Sequence, residues 1–506
     1  ASKKHTPYWV DDMKTPSGYA HVGSLLGPLV HSMIYRALKD AGADATFTFV
    51  MNDFDPADDL LPELKGKYEK YLGMPLTLFP SPDPKFKNLA DLFGSDFINS
   101  IRSLGVEAKI LSSWEMYKEG KFDAVIKEVL DNTEKVQDIY QKVSGSAKKE
   151  KGWLPFQVIC EKCQKLGTTR VFAWDGKEVS YKCEPNLVTW AKGCGHEGKI
   201  SPFGGTGKLP WKVDWAAHWK VLGITIEGAG KDHGSAGGSY DIAMAICKDV
   251  FKYPQPYKLV YEFILIGGRK MSSSKGLGLK AHDIVKILPP SVARFLFARA
   301  NIKSQSNFNP EGTMAISDLF DEYDKAWMAY NRNEDSDLAR VFELSQINGT
   351  PKRNPELFIP RFRDIANFRQ LPNVKLSEHF KIKTKEEERI LGDRLTYTAI
   401  WLSKYAPDEY RYQISLKSYN EISLTKEQWN FLNELSDIWK KAKDPEKLQS
   451  EIFLLAKEKK INPKDAFRAL YTVVLDKPYG PRAGWLLKKF PVDVILERLT
   501  LNKSKK

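Results

Sequence analysis

The chain has 506 residues, of which 42% are hydrophobic and 28% are charged, a composition typical of globular proteins. Its formal net charge of +13 favours a polyanionic partner, because basic side chains bind phosphates. No run of about twenty apolar residues is present, and the first residues lack the apolar core of a signal peptide. These features indicate no transmembrane helix and predict a cytoplasmic protein. The length predicts two to four domains.

The N-terminal segment predicts a ligand site at the start of a helix. The stretches TPSG, from Thr15, and HVGS, from His21, precede apolar residues that recur at helical spacing over residues 26–38. Gly18 and Gly23 allow the backbone to approach a ligand closely, and a helix N-terminus attracts phosphate. The following ATFTFVM predicts a buried strand, which completes half of a doubly wound nucleotide-binding unit.

A second motif, KMSSSKG, begins at Lys270. It follows the apolar segment YEFILIGG, which we predict to be one strand, and an earlier strand, ITIEGAG, that runs into a glycine-rich turn. Two lysines flank a run of serines, and point charges of this kind suit a triphosphate that is losing pyrophosphate.

Four of the five cysteines fall in one stretch, where short alternating segments predict a small β-rich knuckle. The thiols of Cys160 and Cys163 form one pair of ligands, and tetrahedral zinc needs a second pair about twenty residues further on. Cys183 and Cys194 are the best second pair. His196 is a rival for the fourth position, and Cys194 with His196 could also serve without Cys183.

Strand patterns fade after about residue 310. Segments such as DLFDEYDKAWMAYNR, KEQWNFLNELSDIWKKA and KLQSEIFLLAKEKK are amphipathic at helical spacing and predict a helical C-terminal domain.

HVGS and KMSSSKG together resemble the paired HIGH and KMSKS signatures of class I aminoacyl-tRNA synthetases. The stretches TPSGYAHVGS, WKVDWAAHW, AGKDHGSAGGSYD, SKYAPDEYRYQI and DKPYGPRAGWL look like class I lysyl-tRNA synthetases, so the resemblance covers most of the chain. It implies an α/β fold with a split Rossmann-like catalytic domain, an inserted zinc-knuckle region and an all-α anticodon-binding domain. The implied ranges are 1–55 and 206–310 for the two catalytic halves, 56–205 for the insertion with its knuckle at 155–200, and 311–506 for the anticodon-binding domain.

The resemblance implies a lysine–tRNA ligase that uses ATP and Mg²⁺, holds a structural Zn²⁺, and joins L-lysine to the 3′ end of tRNA(Lys) as a monomer. The residues that match the family's catalytic positions are His21, Lys270 and Lys275. Those that match its ATP-binding positions are Gly18, His21, Gly23, Ser24, Gly230, Asp232, Lys270, Met271, Ser274 and Lys275. Those that match its lysine pocket are Thr15, Trp211, His233 and Tyr261. Asp53 and Asp55, in MNDFD, resemble a family segment beside the active site, or form a strand-terminal turn.

This sequence departs from the family pattern at one place in the expected pocket. The family usually has a glycine two residues before the threonine of TPSG, and here that residue is Met13, followed by Lys14. We therefore expect a reshaped amino-acid pocket. The alternatives are a glutamyl-type synthetase, which would need a cation for its substrate's carboxylate, a nucleotidylyltransferase, and a catalytically silent tRNA-binding paralogue.

Overall fold

The computed structural model describes residues 6–145, 152–268, 279–370, 374–442, 444–488 and 490–503. The chain forms two compact units, one made of Ala1–Asn309 and Asn333–Lys352, the other of Pro310–Arg332 and Arg353–Lys506. The first unit is mixed α/β. The described residues of the second unit form helices and no strand. The predicted KMSSSKG residues, including Lys270, Met271, Ser274 and Lys275, lie outside the described residues.

Five parallel strands form the central sheet of the first unit. The strands in chain order are β1 (Tyr8–Lys14), β2 (Ala45–Met51), β3 (Lys109–Ser112), β4 (Gln157–Val158), β5 (Thr169–Trp174), β6 (Val179–Cys183), β7 (Glu197–Ile200), β8 (Gly207–Lys208), β9 (Ile226–Gly230), β10 (Tyr257–Tyr261), β11 (Ile264–Ile266) and β12 (Ser306–Phe308). The central sheet has the order β10-β9-β1-β2-β3. The strand order reverses at β1, and ligands of such sheets bind in the crevice at the carboxyl ends of the strands beside this point.

Four of the five strands of the central sheet, β1, β2, β3 and β9, are followed by a helix. In chain order the helices are α1 (Leu26–Asp40), α2 (Leu89–Ser103), α3 (Ser113–Lys118), α4 (Asp123–Asp131), α5 (Thr133–Ser144), α6 (Trp211–Leu222), α7 (Lys231–Gly234), α8 (Ser239–Asp249), α9 (Ile284–Ile287), α10 (Pro290–Ala298), α11 (Ala315–Asn331), α12 (Asp337–Ser345), α13 (Phe362–Phe368), α14 (Leu376–His379), α15 (Lys385–Ile400), α16 (Lys426–Lys441), α17 (Pro445–Glu458), α18 (Pro463–Leu475), α19 (Ala483–Leu487) and α20 (Val492–Leu499). Of these, α11 and α13–α20 belong to the second unit.

Adjacent residues of β9 attach helices to opposite faces of the sheet. Trp215 and Trp219 of α6 donate their indole N–H groups to Glu227, at 2.8 and 2.5 Å. The next residue, Gly228, donates its backbone N–H to Nε2 of His31 on α1, at 2.7 Å. Because successive residues of a strand point to opposite faces, α1 and α6 cover the two sides of the sheet.

The predicted helix and strand at the N-terminus are confirmed as α1 and β2. The predicted strand in YEFILIGG is confirmed in part as β11, but it is shorter than expected, because Tyr261 is the last residue of β10 and the chain breaks at Glu262 and Phe263. The backbone N–H of Glu262 donates to the carbonyl of Ile302 at 2.8 Å, so the chain leaves β9 there. From Ile264 it pairs instead with β12, in a separate two-stranded sheet.

The cysteine region contains the two predicted strands as β5 and β6. They form an antiparallel sheet with β7, in the order β5-β6-β7. β4 and β8 form a second small antiparallel sheet. They lie at the two ends of the cysteine region in the sequence, so the chain enters and leaves this region at one place.

The second unit has its own apolar core. Trp429, Leu432 and Trp439 of α16 are buried in it, together with apolar residues of α17 and α18. The predicted amphipathic helices in this part are confirmed as α11, α16 and α17. Within the described part of the chain, we find no helix with the length and apolar character needed to cross a bilayer.

Candidate functional site

Two adjoining cavities open where β1 ends, in the first unit. Their volumes are about 230 and 320 Å³. The residues that line both are Asp12, Met13, Lys14, Gly230, His233 and Tyr261. Cavities of this size at a strand-order reversal suit a nucleotide and a small second ligand.

The first cavity contains most of the described residues predicted to bind ATP. His21, Gly23 and Ser24 line it on one side, and Gly230 with Asp232 line it on the other. Val22–Leu25 form a short 3₁₀ helix that leads into α1, and His21 is its N-cap residue. Gly18 is buried in the preceding turn and is not among the residues that line this cavity.

The residues that follow the KMSSSKG segment pair with the HVGS segment. The backbone N–H of Val22 donates to the carbonyl of Leu279, and that of Ala281 donates to the carbonyl of Ala20, both at 2.8 Å. On the other side of the segment, Ile264 of β11 lines the first cavity. Both flanks of the segment therefore lie at the cavity that His21 lines.

The second cavity brings together all four predicted lysine-pocket residues, Thr15, Trp211, His233 and Tyr261. The rings of Trp211 and Trp215 stack with centroids 5.0 Å apart and planes 20° apart. The His233 ring meets Trp211 edge-on, also at 5.0 Å. Aromatic faces attract cations, so this wall suits an ammonium group.

Two buried carboxyl groups face the same cavity. Asp12 and Glu227 line it and are 7% and 1% exposed. Burial raises the pKa of Glu227 to about 8, although the N–H groups of Trp215 and Trp219 oppose the shift. Burial, together with the charges of Asp12 and Glu227, also holds the pKa of Tyr261 well above its ordinary value. The cavity thus offers a neutral phenol and acidic groups that a bound cation would ionise.

The unusual pair Met13 and Lys14 faces both cavities. The Lys14 ammonium lies 5.7 Å from the centroid of the Phe97 ring. Burial lowers the pKa of Lys14, and the nearby Asp12 opposes this shift. The cavity that would receive a cationic ligand therefore already contains a basic side chain.

A buried polar network adjoins Thr15. The Lys208 ammonium donates to Oδ1 of Asn52 at 2.6 Å and to Oδ1 of Asp55 at 2.5 Å, and it lies 3.0 Å from Oδ2 of Asp214. The Thr15 hydroxyl donates to Oδ2 of Asp55 at 2.7 Å. Asp53 lies apart, and accepts from Ser112 and from the backbone of residue 114.

Several residues of this site were not predicted from the sequence. They are Asp12, Asn52, Lys208, Trp215 and Glu227. Charged residues inside apolar strand segments, such as the glutamate of ITIEGAG and the lysine of GKLPW, are the signal that could have indicated them, since buried charges are rare without a partner.

The sulfur atoms of Cys160, Cys163, Cys183 and Cys194 all lie within 4.8 Å of one another. The Cys160–Cys194 and Cys163–Cys183 sulfur pairs are each 3.6 Å apart. Four thiolates bound to zinc at about 2.3 Å stand roughly 3.8 Å apart, so the donor set fits this ion. The imidazole of His196 instead lies 3.9 Å from the carboxylate of Glu161.

A comparison with known protein families identifies the family of this chain. The family model described as "tRNA synthetases class I (K)" matches residues 1–348. The chain therefore belongs to the class I tRNA synthetases of this family.

Curated relatives match over nearly the whole chain. The lysine–tRNA ligase of Archaeoglobus fulgidus is 32% identical over 493 residues, which cover 96% of this chain and 94% of the relative. The lysine–tRNA ligase of Methanocaldococcus jannaschii is 34% identical over 530 residues, which cover 99% and 97%.

A solved glutamate tRNA ligase from Elizabethkingia meningosepticum, in complex with its amino acid, is 11% identical and covers 98% of this chain and 99% of its own, with a TM-score of 0.45. A likeness at this level is too weak to indicate a substrate.

Proposed function

We propose that this chain is a lysine–tRNA ligase, which activates L-lysine with ATP and transfers the lysyl group to the 3′ end of tRNA(Lys). The observation that carries the proposal is the aromatic and acidic cavity beside the HVGS turn. Its stacked rings of Trp211 and Trp215 and the carboxyl groups of Asp12 and Glu227 suit an ammonium ligand. The nearly full-length similarity to archaeal lysine–tRNA ligases supports the same substrate.

The first step joins lysine to the nucleotide. The carboxylate of lysine is ionised at neutral pH, so it attacks the α-phosphorus of ATP without a general base. Catalysis then consists of positioning and charge stabilisation. We assign the adenosine to Gly230 and Asp232 and the lysine to Thr15, Trp211, His233 and Tyr261.

The charge on the departing pyrophosphate needs cations and donors. We assign this role to His21, Lys270 and Lys275, with Gly18, Gly23, Ser24, Met271 and Ser274 around the phosphates. Mg²⁺ bound with ATP would neutralise further phosphate charge. The pairing of Val22 with Leu279 supports this assignment, because it brings a residue that follows the KMSSSKG segment to the HVGS turn.

In the second step the 2′-hydroxyl of the terminal tRNA ribose attacks the lysyl carbonyl and AMP departs. We assign the catalytic halves to residues 1–55 and 206–310, a split Rossmann-like domain, and anticodon binding to the helical residues 311–506. The segment 56–205 is the insertion. A monomeric state and a cytoplasmic location stay predictions.

We assign a structural Zn²⁺ to Cys160, Cys163, Cys183 and Cys194. Four protein ligands leave no open position on the ion, so its role would be to hold the knuckle strands together. The sulfur separations support this set, and the contact of His196 with Glu161 favours Cys183 over that histidine.

A glutamyl-type enzyme fits the cavity less well. Its substrate carboxylate would need a cation, and Lys14 is the one lysine or arginine among the described residues that line the two cavities. Asp12 and Glu227, which line the same cavity, offer such a substrate no positive charge.

The proposal is tested by charging assays with purified protein, ATP, tRNA and each of the twenty amino acids. We expect charged tRNA with lysine alone. Charging with glutamate would select the glutamyl-type enzyme, and tight tRNA binding without any charging would select the silent paralogue.

A further inference from the structure

Lys208 is a lysine with almost no contact with solvent, placed just outside the second cavity. Its side chain is 2% exposed and lies at the end of β8, three residues before α6 begins. It is held by three polar partners, Asn52, Asp55 and Asp214. A buried ammonium is costly unless it is paired in this way, and its partners are in turn fixed by it.

Both oxygens of Asp55 are engaged, on different sides. Oδ1 accepts from Lys208 at 2.5 Å. Oδ2 accepts from the amide of Asn52 at 2.6 Å and from the Thr15 hydroxyl at 2.7 Å. Asn52 is itself oriented by Lys208, because its carbonyl oxygen receives the ammonium and its amide nitrogen therefore faces Asp55 and Thr15.

This arrangement determines how the Thr15 hydroxyl can bind a ligand. A hydroxyl has one proton and two acceptor lone pairs. The proton is directed to Asp55, and one lone pair faces the Asn52 amide at 3.3 Å. One lone pair remains for the cavity that Thr15 lines, so the hydroxyl accepts from a ligand and has no proton to donate.

We propose that Lys208 is a positioning residue that sets the polarity of the amino-acid cavity: through Asp55 and Asn52 it makes Thr15 an acceptor. The cavity then selects an amino acid whose side chain carries an ammonium group and disfavours one whose side chain carries a carboxylate. The inference rests on the proposed function, and it deepens that function by naming what discriminates between lysine and glutamate.

The test measures KM for lysine and for ATP separately, in charging assays with Lys208→Met, Thr15→Val and the double variant. Methionine retains the length of the lysine side chain without its charge. We expect Lys208→Met to raise KM for lysine roughly tenfold or more and to leave KM for ATP nearly unchanged, because a hydrogen bond to a charged group is lost. In the Thr15→Val background, the same change should have little further effect on KM for lysine.

Lys220→Met is the matched control. Lys220 lies on α6 and donates to Glu128 at 2.6 Å, but it is not among the residues that line either cavity. Its removal breaks an ion pair within the first unit, and we expect KM for lysine and KM for ATP to stay unchanged.

Asn52→Leu provides a second variant of similar size, which decides the matter if Lys208→Met fails to fold. We expect from it the same selective rise in KM for lysine. Equal rises in the two KM values, or a Lys208→Met effect that persists fully in the Thr15→Val background, would overturn the inference and leave the proposed function intact. Absence of lysine charging by the unaltered chain would overturn both.

Discussion

Most of the charged and aromatic side chains that line the second cavity favour the binding of a cation, and one of them disfavours it. Asp12, Glu227 and the rings of Trp211 and Trp215 attract positive charge, whereas the Lys14 ammonium repels it. The same ammonium would attract the phosphates of the ATP that we propose for the first cavity, which Lys14 also lines. When this one charge is removed, KM for lysine and KM for ATP should therefore change in opposite directions.

The first prediction concerns Lys14→Met. Removing a cation that faces both ligands should lower KM for lysine and raise KM for ATP, each by roughly three- to tenfold, as expected for charges several ångströms apart in a partly solvated site. Steady-state charging assays measure both constants. Lys39→Met, at the exposed end of α1, is the control and should change neither. A rise in both constants would show that Lys14 acts by packing.

The second prediction concerns Gly27 of α1. A Cβ at this position would lie 2.7 Å from a carboxylate oxygen of Asp12 and 2.9 Å from the Tyr261 hydroxyl, so both groups would have to move. We expect Gly27→Ala to lower kcat/KM for lysine roughly ten- to hundredfold.

Gly392→Ala is the control for this change, because Gly392 lies in α15 and a Cβ there meets nothing within 4 Å. It should leave charging unaltered and stabilise the helix slightly. Unchanged activity of Gly27→Ala would mean that Asp12 and Tyr261 do not contact the substrate.

At the scale of elements, the sequence predicted what depends on local pattern. The helix from Leu26, the strand ATFTFVM and the amphipathic helices of the second unit follow from apolar spacing, and each is present. The break in YEFILIGG was missed, since it depends on a long-range bond between Glu262 and Ile302. No local pattern reports such a bond.

The residues of the candidate site were also predicted only in part. Thr15, Trp211, His233 and Tyr261 were named from motifs and meet in one cavity. Lys208 was missed, because its role arises from contacts with Asn52 and Asp55, which lie 156 and 153 positions away in the sequence.

A third prediction concerns the cysteine knuckle. Cys160→Ser should abolish bound zinc, because a hydroxyl replaces one of four thiolates, and should weaken the antiparallel sheet β5-β6-β7. Elemental analysis of the purified protein measures the metal. Cys247→Ala, which removes a buried thiol elsewhere, should keep the full zinc content. Full zinc in Cys160→Ser would remove Cys160 from the ligand set.

A fourth prediction concerns Glu227 in β9. Its pKa in the folded state is about 8 against an ordinary 4.5, because the carboxyl is buried. The folded state therefore binds more protons than the unfolded state between these values, and stability falls as pH rises through this window. In the Glu227→Gln variant the free energy of unfolding should fall less steeply as pH rises, by up to about 1.4 kcal/mol per pH unit.

Urea unfolding followed at several pH values within the window measures the difference between the variant and the unaltered chain. Glu69→Gln, at an exposed position, should leave the pH dependence unchanged. Equal pH slopes for Glu227→Gln and the unaltered chain would contradict a protonated Glu227 in the folded protein.

At the scale of the whole molecule, described segments that lie far apart in the sequence meet beside one cavity. HVGS lies near the N-terminus and KMSSSKG some 250 residues later, yet backbone bonds from Val22 and Ala281 join the first to the residues that follow the second. The neighbouring cavity supplies the acceptors for a cation. We therefore propose that ATP and lysine bind side by side at the end of β1.

A crystal structure with a non-hydrolysable lysyl-adenylate analogue tests this claim most directly. We predict the adenosine beside Gly230 and Asp232, the phosphate at His21, and the lysyl group between Thr15, Trp211 and Tyr261. An analogue bound elsewhere, or one whose lysyl group turns away from the aromatic wall towards solvent, would contradict it.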